Sequence, residues 1–341
     1  MNPETLEPHH GGGCANCGSS FVEPGYHTPL CSECRQSFIR YPIPNWIKAF
    51  GGGVALVLIF ALVNLPSQLS LGVHLARGKK AVDEHRFVTA EKELKAFTAK
   101  VPESEEGLAN LLIASYYNQD LTMFDSMVNK LEGRSVEDNM LYDRAQDLIN
   151  QSAHYYPADT VSVNFLQQYD AFDSIPDTVL ANFVSTHNDL WLGWAYAQRL
   201  NDQDQYTACD SVLRSLLHED PEYWPALRLM AGVKRVQDSL DISLKYCNRL
   251  LSLNKEDVNA MCLKARTLIK QKKHEEAMAL VGKALAQEKD NGYAKATLAL
   301  AYHFSNQTAQ RDKLMQEMQR DSLTGDYVDY INNVVAGKEK F

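Results

Sequence analysis

The chain has 341 residues, with 34 Lys and Arg against 43 Asp and Glu and a formal net charge of −9. That length suits two ordinary domains or one long repeat array, and the acidic balance disfavours a general grip on nucleic-acid phosphates. Seven cysteines are too few for a disulfide-stapled secreted scaffold of this size, and 45% hydrophobic against 23% charged residues argues against wholesale disorder.

Punctuation is uneven along the chain. Seven of the twelve prolines and eight of the eighteen glycines fall in residues 1–66. The remainder is so poor in both that a helical array is expected there, not a β-rich domain. Residues 1–13 end in three glycines and lack apolar periodicity, so they read as a disordered tail. His9 and His10 read as solvated, and the segment, without a basic start or an early apolar run, does not read as a signal peptide.

Residues 14–40 contain the strongest motif. Cys14, Cys17, Cys31 and Cys34 form two C-x2-C pairs separated by thirteen residues. Two residues between thiolates let one tight turn present both sulfurs to a tetrahedral ion. Gly18 follows the first pair, and Pro24-Gly25 marks a turn in the loop. So short a segment cannot bury a core, so the metal has to supply folding energy. The competing reading is two disulfides or free thiols. The segment resembles the zinc-ribbon family over both knuckles. That resemblance implies structural Zn2+ closed by all four thiolates, with no open position for catalysis.

Residues 46–70 carry a seventeen-residue uncharged run, 49–65, flanked by Trp46 and Lys48 and marked at its exit by Pro66. Ten Leu, Ile, Phe or Val side chains in it favour insertion, so one transmembrane helix and contact with a lipid bilayer are expected. The basic residues on the two flanks are nearly balanced. Lys48 and the reducing compartment that thiolates prefer point to a cytoplasmic N-terminus. The remainder would then be extracytoplasmic, or periplasmic in a bacterium.

Beyond residue 70 a period of 34 emerges. Ala197, Ala231, Ala265 and Ala299 repeat at that interval, followed by Cys209, Ser243, Ala277 and Arg311. Leu213, Cys247, Val281 and Met315 come next, then Leu216, Leu250, Ala284 and Met318. This period suits a helix, a turn, a second helix and a linker. With His274 to Leu280 and Lys283 to Leu285 reading as a second helix, the array resembles the tetratricopeptide repeat (TPR) family. An upstream copy, Gly78, Ala81, Phe87, Ala90, Leu94, Phe97 and Pro102, matches the same pattern. Lys264, Lys295 and Arg311 depart from it. The implied fold is all-α, a TPR-like right-handed superhelix of antiparallel helix pairs. It comprises a repeat at 71–104, degenerate helical repeats at 105–189, four repeats at 190–323 and a cap or tail at 324–341. Cys209, Cys247 and Cys262 read as small core residues.

No catalytic motif appears. His274-Glu275-Glu276-Ala277-Met278 lacks the second histidine of a zinc-protease helix, and no nucleophile elbow, P-loop or dinucleotide fingerprint is present. Asp143 and Asp147 read as a solvated helix face. In the resembled family, first helices line a concave groove. Here they would present Trp191, Trp194, Gln198, Arg228, Arg235, Arg266, Lys270, Tyr293 and His303. Clustered cations in an acidic protein point to an anionic peptide, and the tryptophans to an apolar anchor. The opposing reading packs the tryptophans between repeats and pairs the cations with neighbouring acids.

The sequence therefore predicts a membrane-anchored, non-enzymatic scaffold or assembly factor that binds a protein or peptide partner. The alternative is a transmembrane regulator whose ribbon engages a cytoplasmic protein or nucleic acid while the repeats sense a ligand. An enzyme with its site in 105–189 is the third reading.

Overall fold

A computed structural model describes residues 12–39, 43–134, 137–157, 159–321 and 324–341, with the side chains of 62–68 also outside the description. The tail, His9, His10, Arg40 and the Pro66 side chain thus lie outside the described residues. The chain forms two compact units, Met1–Leu69 and Ser70–Phe341. In the first unit, turns carry the cysteines into a short helix, α1 (Ser32–Ile39), and the long helix α2 (Asn45–Asp83) begins.

The second unit opens with the end of α2, which pairs with α3 (Phe87–Thr98). There follow α4 (Glu105–Tyr117), α5 (Leu121–Leu131), α6 (Asn139–Ser152), α7 (Thr160–Leu166) and α8 (Asp177–Thr186). Four regular hairpins come next. They are α9 (Leu190–Asp202) with α10 (Tyr206–Glu219), and α11 (Trp224–Val236) with α12 (Leu240–Leu253). The other two are α13 (Val258–Lys270) with α14 (His274–Gln287), and α15 (Gly292–Phe304) with α16 (Thr308–Gln319). A final helix, α17 (Asp326–Val335), packs on α15 and α16. The all-α hairpin array expected from the period is present.

Each boundary has a local cause. The first helices α9, α13 and α15 start at Asp189, Asp257 and Asn291, whose side chains accept from Leu192, Ala260 and Ala294 amides at 2.9 Å. These residues occupy one position of the repeat and satisfy donors that a helix start leaves open. At the second of the four copies Tyr223 offers no cap, and Pro225 near the start presets the backbone instead.

The hairpin turns are equally uniform. His85, Gln119, Asp204, Asp238, Lys272 and Asn306 all adopt positive φ, from 57° to 65°. After each, the next amide reaches back five residues to a carbonyl in the last turn of the helix. Gln205 donates to the Leu200 carbonyl at 2.8 Å, and Lys273 to the Leu268 carbonyl at 2.9 Å. This left-handed helix stop recurs at intervals of 34 residues from 85 to 119 and again from 204 to 306, without a glycine in it. The small residues at the repeat positions are buried between helices: Ala197, Ala231, Ala265 and Ala299 are all inaccessible. Cys209 and Ser243 donate to the carbonyls of Ala197 and Ala231, so a polar atom sits in the crossing without cost.

The rhythm breaks once. Asn139 and Leu190 start helices one and a half periods apart, and between them lie short helices packed around Phe165, Ile175, Leu180, Phe183 and Leu192. The two halves also meet elsewhere. The loop after α12 touches the first two turns: the Lys255 amide donates to the His85 carbonyl at 2.9 Å, and Asn254 Nδ2 to the Tyr117 carbonyl at 3.3 Å.

One expectation is overturned. Among the described residues, no helix is long and apolar enough to cross a membrane, so a single-pass membrane location is not supported. The apolar run is broken on its N-terminal side by Gly51–Gly53, and the helix does not end at Pro66. It continues into polar residues as far as Asp83, where it serves the first hairpin. The assignment of cytoplasmic and extracytoplasmic sides, and of the bilayer as a partner, falls with it. Trp46, Phe50, Leu56, Val57, Ile59 and Phe60 are exposed along its first half.

Candidate functional sites: a four-cysteine cluster and a charged cavity

Cys14, Cys17, Cys31 and Cys34 come together. Their sulfurs all lie within 4.8 Å of one another, and the group could hold a metal ion. Gly18 at φ +75° lets the first knuckle turn, and its amide donates to the Cys14 carbonyl at 2.9 Å. The second pair sits where α1 begins, so that the Cys34 amide donates to Cys31 Sγ at 3.4 Å. Asn16 Nδ2 donates to Cys34 Sγ at 3.3 Å. The Cys17 and Cys31 sulfurs share a hydrogen bond at 3.6 Å and form no disulfide, and all seven cysteines are free. The described part of this module holds turns and a helix but no strand, so its resemblance to a ribbon stops at the knuckles.

The electrostatics of the cluster favour a cation. The Cys31 amide, with those of Cys17 and Asn16, holds the Cys14 thiol down to about 6 against the effect of burial. At Cys34 the Asn16 amide lowers the value, but the Cys17 and Cys31 sulfurs and burial outweigh it and push the thiol up to about 12. Cys14 ionises readily and Cys34 resists; a divalent ion bound by the sulfurs would favour the thiolate form of both. Arg35 does not add a basic surface here. It pairs with Glu23 at 2.8 Å and stacks over Tyr26 at 3.6 Å.

The nine groove residues divide among several places. Trp194, Gln198, Arg228 and Arg235 line one cavity of about 640 Å³, together with Trp224 and Tyr330. Arg266 and Tyr293 border a neighbouring hollow with Tyr327 and Tyr330. Arg266 is buried, donates to Thr297 Oγ1 at 3.0 Å and Tyr330 Oη at 2.7 Å, and stacks over Tyr293 at 4.1 Å. Lys270 donates to the Arg235 carbonyl at 3.1 Å, near Phe341. Trp191 lies 6.4 Å from the Phe172 ring and packs in the irregular segment. His303 meets Arg311 at 3.0 Å, and burial, aided by Arg311, holds its pKa below the usual value.

The cations of the cavity differ in their partners. Arg228 contacts Gln119 and lies 3.4 Å from Asp257, which itself accepts from Gln119 at 3.1 Å. Arg235 is 7% exposed, and its Nε and Nη1 find no partner. Burial lowers the pKa of its guanidinium, although an arginine stays charged. Sequence reasoning missed Trp224, Gln119, Asp257 and Tyr330. Trp224 was accessible through the period, as the first residue of α11. Gln119 and Asp257 lie far apart in the chain, and Tyr330 lies beyond the last repeat, so no spacing announces them.

These observations define an α-helical hairpin-repeat protein with a four-cysteine cluster able to hold a metal ion. No family model and no curated protein matches the chain. Among solved structures, a tetratricopeptide repeat protein from Parabacteroides merdae is 14% identical, with 78% of this chain and 86% of that one covered at a TM-score of 0.39. YrrB, described as a TPR protein with an unusual peptide-binding site, is 12% identical over 70% of this chain and 97% of its own, at 0.33. The TPR2AB-domain complex of yeast Sti1 with pHSP90 is 15% identical over 79% and 98%, at 0.30. These are distant likenesses, and the hairpin assignment rests on the chain's own geometry.

Proposed function

We propose that this chain is an interaction scaffold, binding protein partners rather than catalysing a reaction, with Cys14, Cys17, Cys31 and Cys34 holding a structural zinc ion. The observation that carries the reading is the hairpin array itself. Stacked hairpins bury one shared core and leave long rows of first-helix side chains to meet a partner. Trp194, Gln198 and Arg228 are the contact residues of this reading, and the partner is a protein or peptide with acidic character where it meets Arg228. The segments are a zinc module at 14–40, repeats at 71–104 and 190–323, an irregular middle at 105–189 and a cap at 324–341.

Photocrosslinkers placed at Trp194 and Gln198 in the full chain test this reading in cells. One recurrent, competable protein adduct is expected, weakened by Arg228→Glu. Adducts that are absent, or indifferent to Arg228, overturn it. A second reading, a regulator whose repeats sense a ligand, is favoured by the open cavity beside these residues.

A further inference from the structure

The cavity beside Arg235 contains an electrostatic imbalance. A guanidinium that is more than nine-tenths buried ordinarily faces a carboxylate, because an uncompensated buried charge is strongly unfavourable. Among the described residues none lies within ion-pair distance of Arg235, and two of its nitrogens lack any acceptor. Arg228 Nε and Trp224 Nε1, on the same wall, are also buried without acceptors.

The acids near the cavity are engaged or peripheral. Asp204 is held by Tyr206 and by Lys340 at 3.1 Å, and Asp202 accepts from Gln198 at 3.1 Å. Glu339 lines the cavity but is exposed on the last segment of the chain.

That last segment also decides what kind of ligand fits. After α17, Lys338, Glu339 and Lys340 form part of the cavity wall. Lys340 ties the segment to the turn after α9 through Asp204 and lies 4.7 Å from the Tyr206 ring. Phe341, nearly buried, stacks on Phe304 at 5.1 Å. An extended peptide threaded through this cavity would have to displace this segment. A compact molecule would not. The volume and the aromatic walls of Trp194, Trp224 and Tyr330 lie in the range typical of small-molecule sites.

We propose that this cavity binds a small organic oxyanion, a carboxylate or phosphate borne on a planar body, with Arg235 as its charge partner. The oxyanion accepts from Arg235, and the planar body lies among the aromatic side chains. This goes beyond the scaffold reading and does not depend on it.

The test uses the full chain, titrated calorimetrically with benzoate, phenyl phosphate, inorganic phosphate and a hexaglutamate peptide. Saturable binding of benzoate or phenyl phosphate at one site per chain is expected, with quenching of tryptophan fluorescence and weaker binding of inorganic phosphate. Arg235→Gln should weaken it by at least about tenfold. Without ligand, that variant should melt no lower than the parent, since an unpaired buried charge has gone. Neither aromatic anion binding, equal affinity in the variant, or a variant that melts clearly lower each overturns the proposal. So does hexaglutamate binding more tightly than both, which would return the cavity to a peptide groove. Persistent aromatic-anion binding with no protein adducts in the crosslinking experiment would instead remove the scaffold reading alone.

Discussion

Arg86 Nε lies 3.1 Å from Glu256 Oε1, joining the first hairpin turn to the loop before α13 across 170 residues of chain. The same carboxylate accepts from the Thr89 amide and hydroxyl, both at 2.7 Å. Arg86, where α3 begins, offers no cap of its own. Glu256 therefore caps the start of α3 from a distant repeat, and its charge suits the positive end of the helix. The array closes on itself here.

Removing that cap should loosen the closure. Glu256→Ala is expected to destabilise the chain by about 1–3 kcal/mol, the range for a lost charged cap with a buried acceptor, because Arg86 is half-exposed and can return to water. Urea denaturation followed by circular dichroism measures this. A variant as stable as the parent would show that the contact between the halves contributes nothing.

The left-handed turns carry a small strain that glycine lacks. Lys272 sits at φ 62°, and Lys272→Gly should stabilise the chain by roughly 0.5–1 kcal/mol at that position, reading as a higher melting temperature. The same substitution at Lys264, in the interior of α13, should destabilise by a comparable amount because helical glycine is unfavourable.

Asp120 supplies a pH signature. Burial raises its pKa, but the Met123 amide it caps and the Lys95 ammonium lower it further, and the net is a value below the ordinary 3.8. A depressed folded value means that its contribution is complete above the unfolded pKa and is lost as pH falls through the folded one. Asp120→Asn should therefore be clearly less stable than the parent at pH 6, with the gap narrowing below pH of about 4. A gap that stays constant down to acid unfolding would exclude the ionised cap.

Thiol chemistry should separate the two sets of cysteines. Burial pushes Cys209 and Cys262 up to about 12 and Cys247 up to about 11, whereas Cys14 is held down to about 6. Metal analysis of the purified chain should find one zinc, lost in Cys31→Ser. After chelation, iodoacetamide at neutral pH should label the cluster first and the three array thiols only on unfolding. Early labelling of Cys247 would contradict its buried position.

Much of this protein was readable without coordinates. The 34-residue period, its small residues and the paired cysteines each express a local rule, helical spacing or tight-turn geometry, so neighbouring residues are enough to reveal them. The apolar run at 49–65 shows the limit of such reading: composition suggested a span, whereas the helix that contains it runs on into the first hairpin. The groove was only half legible for a similar reason. Period placed Trp194, Arg228 and Arg235 on first helices, but Arg266 faces Tyr330 and Arg228 meets Gln119 and Asp257. Those partners come from other repeats and from beyond the last one.

The sequence alone thus determined the hairpin period, the helix class and the cysteine cluster, because these depend on contacts within about one repeat. Tertiary structure decided the rest: the bond from Arg86 to Glu256, the segment at Lys340 beside the cavity, and which arginines are buried without a carboxylate partner. Such features depend on how the stacked hairpins bring distant turns together, and burial then sets the worth of every charge that meets there.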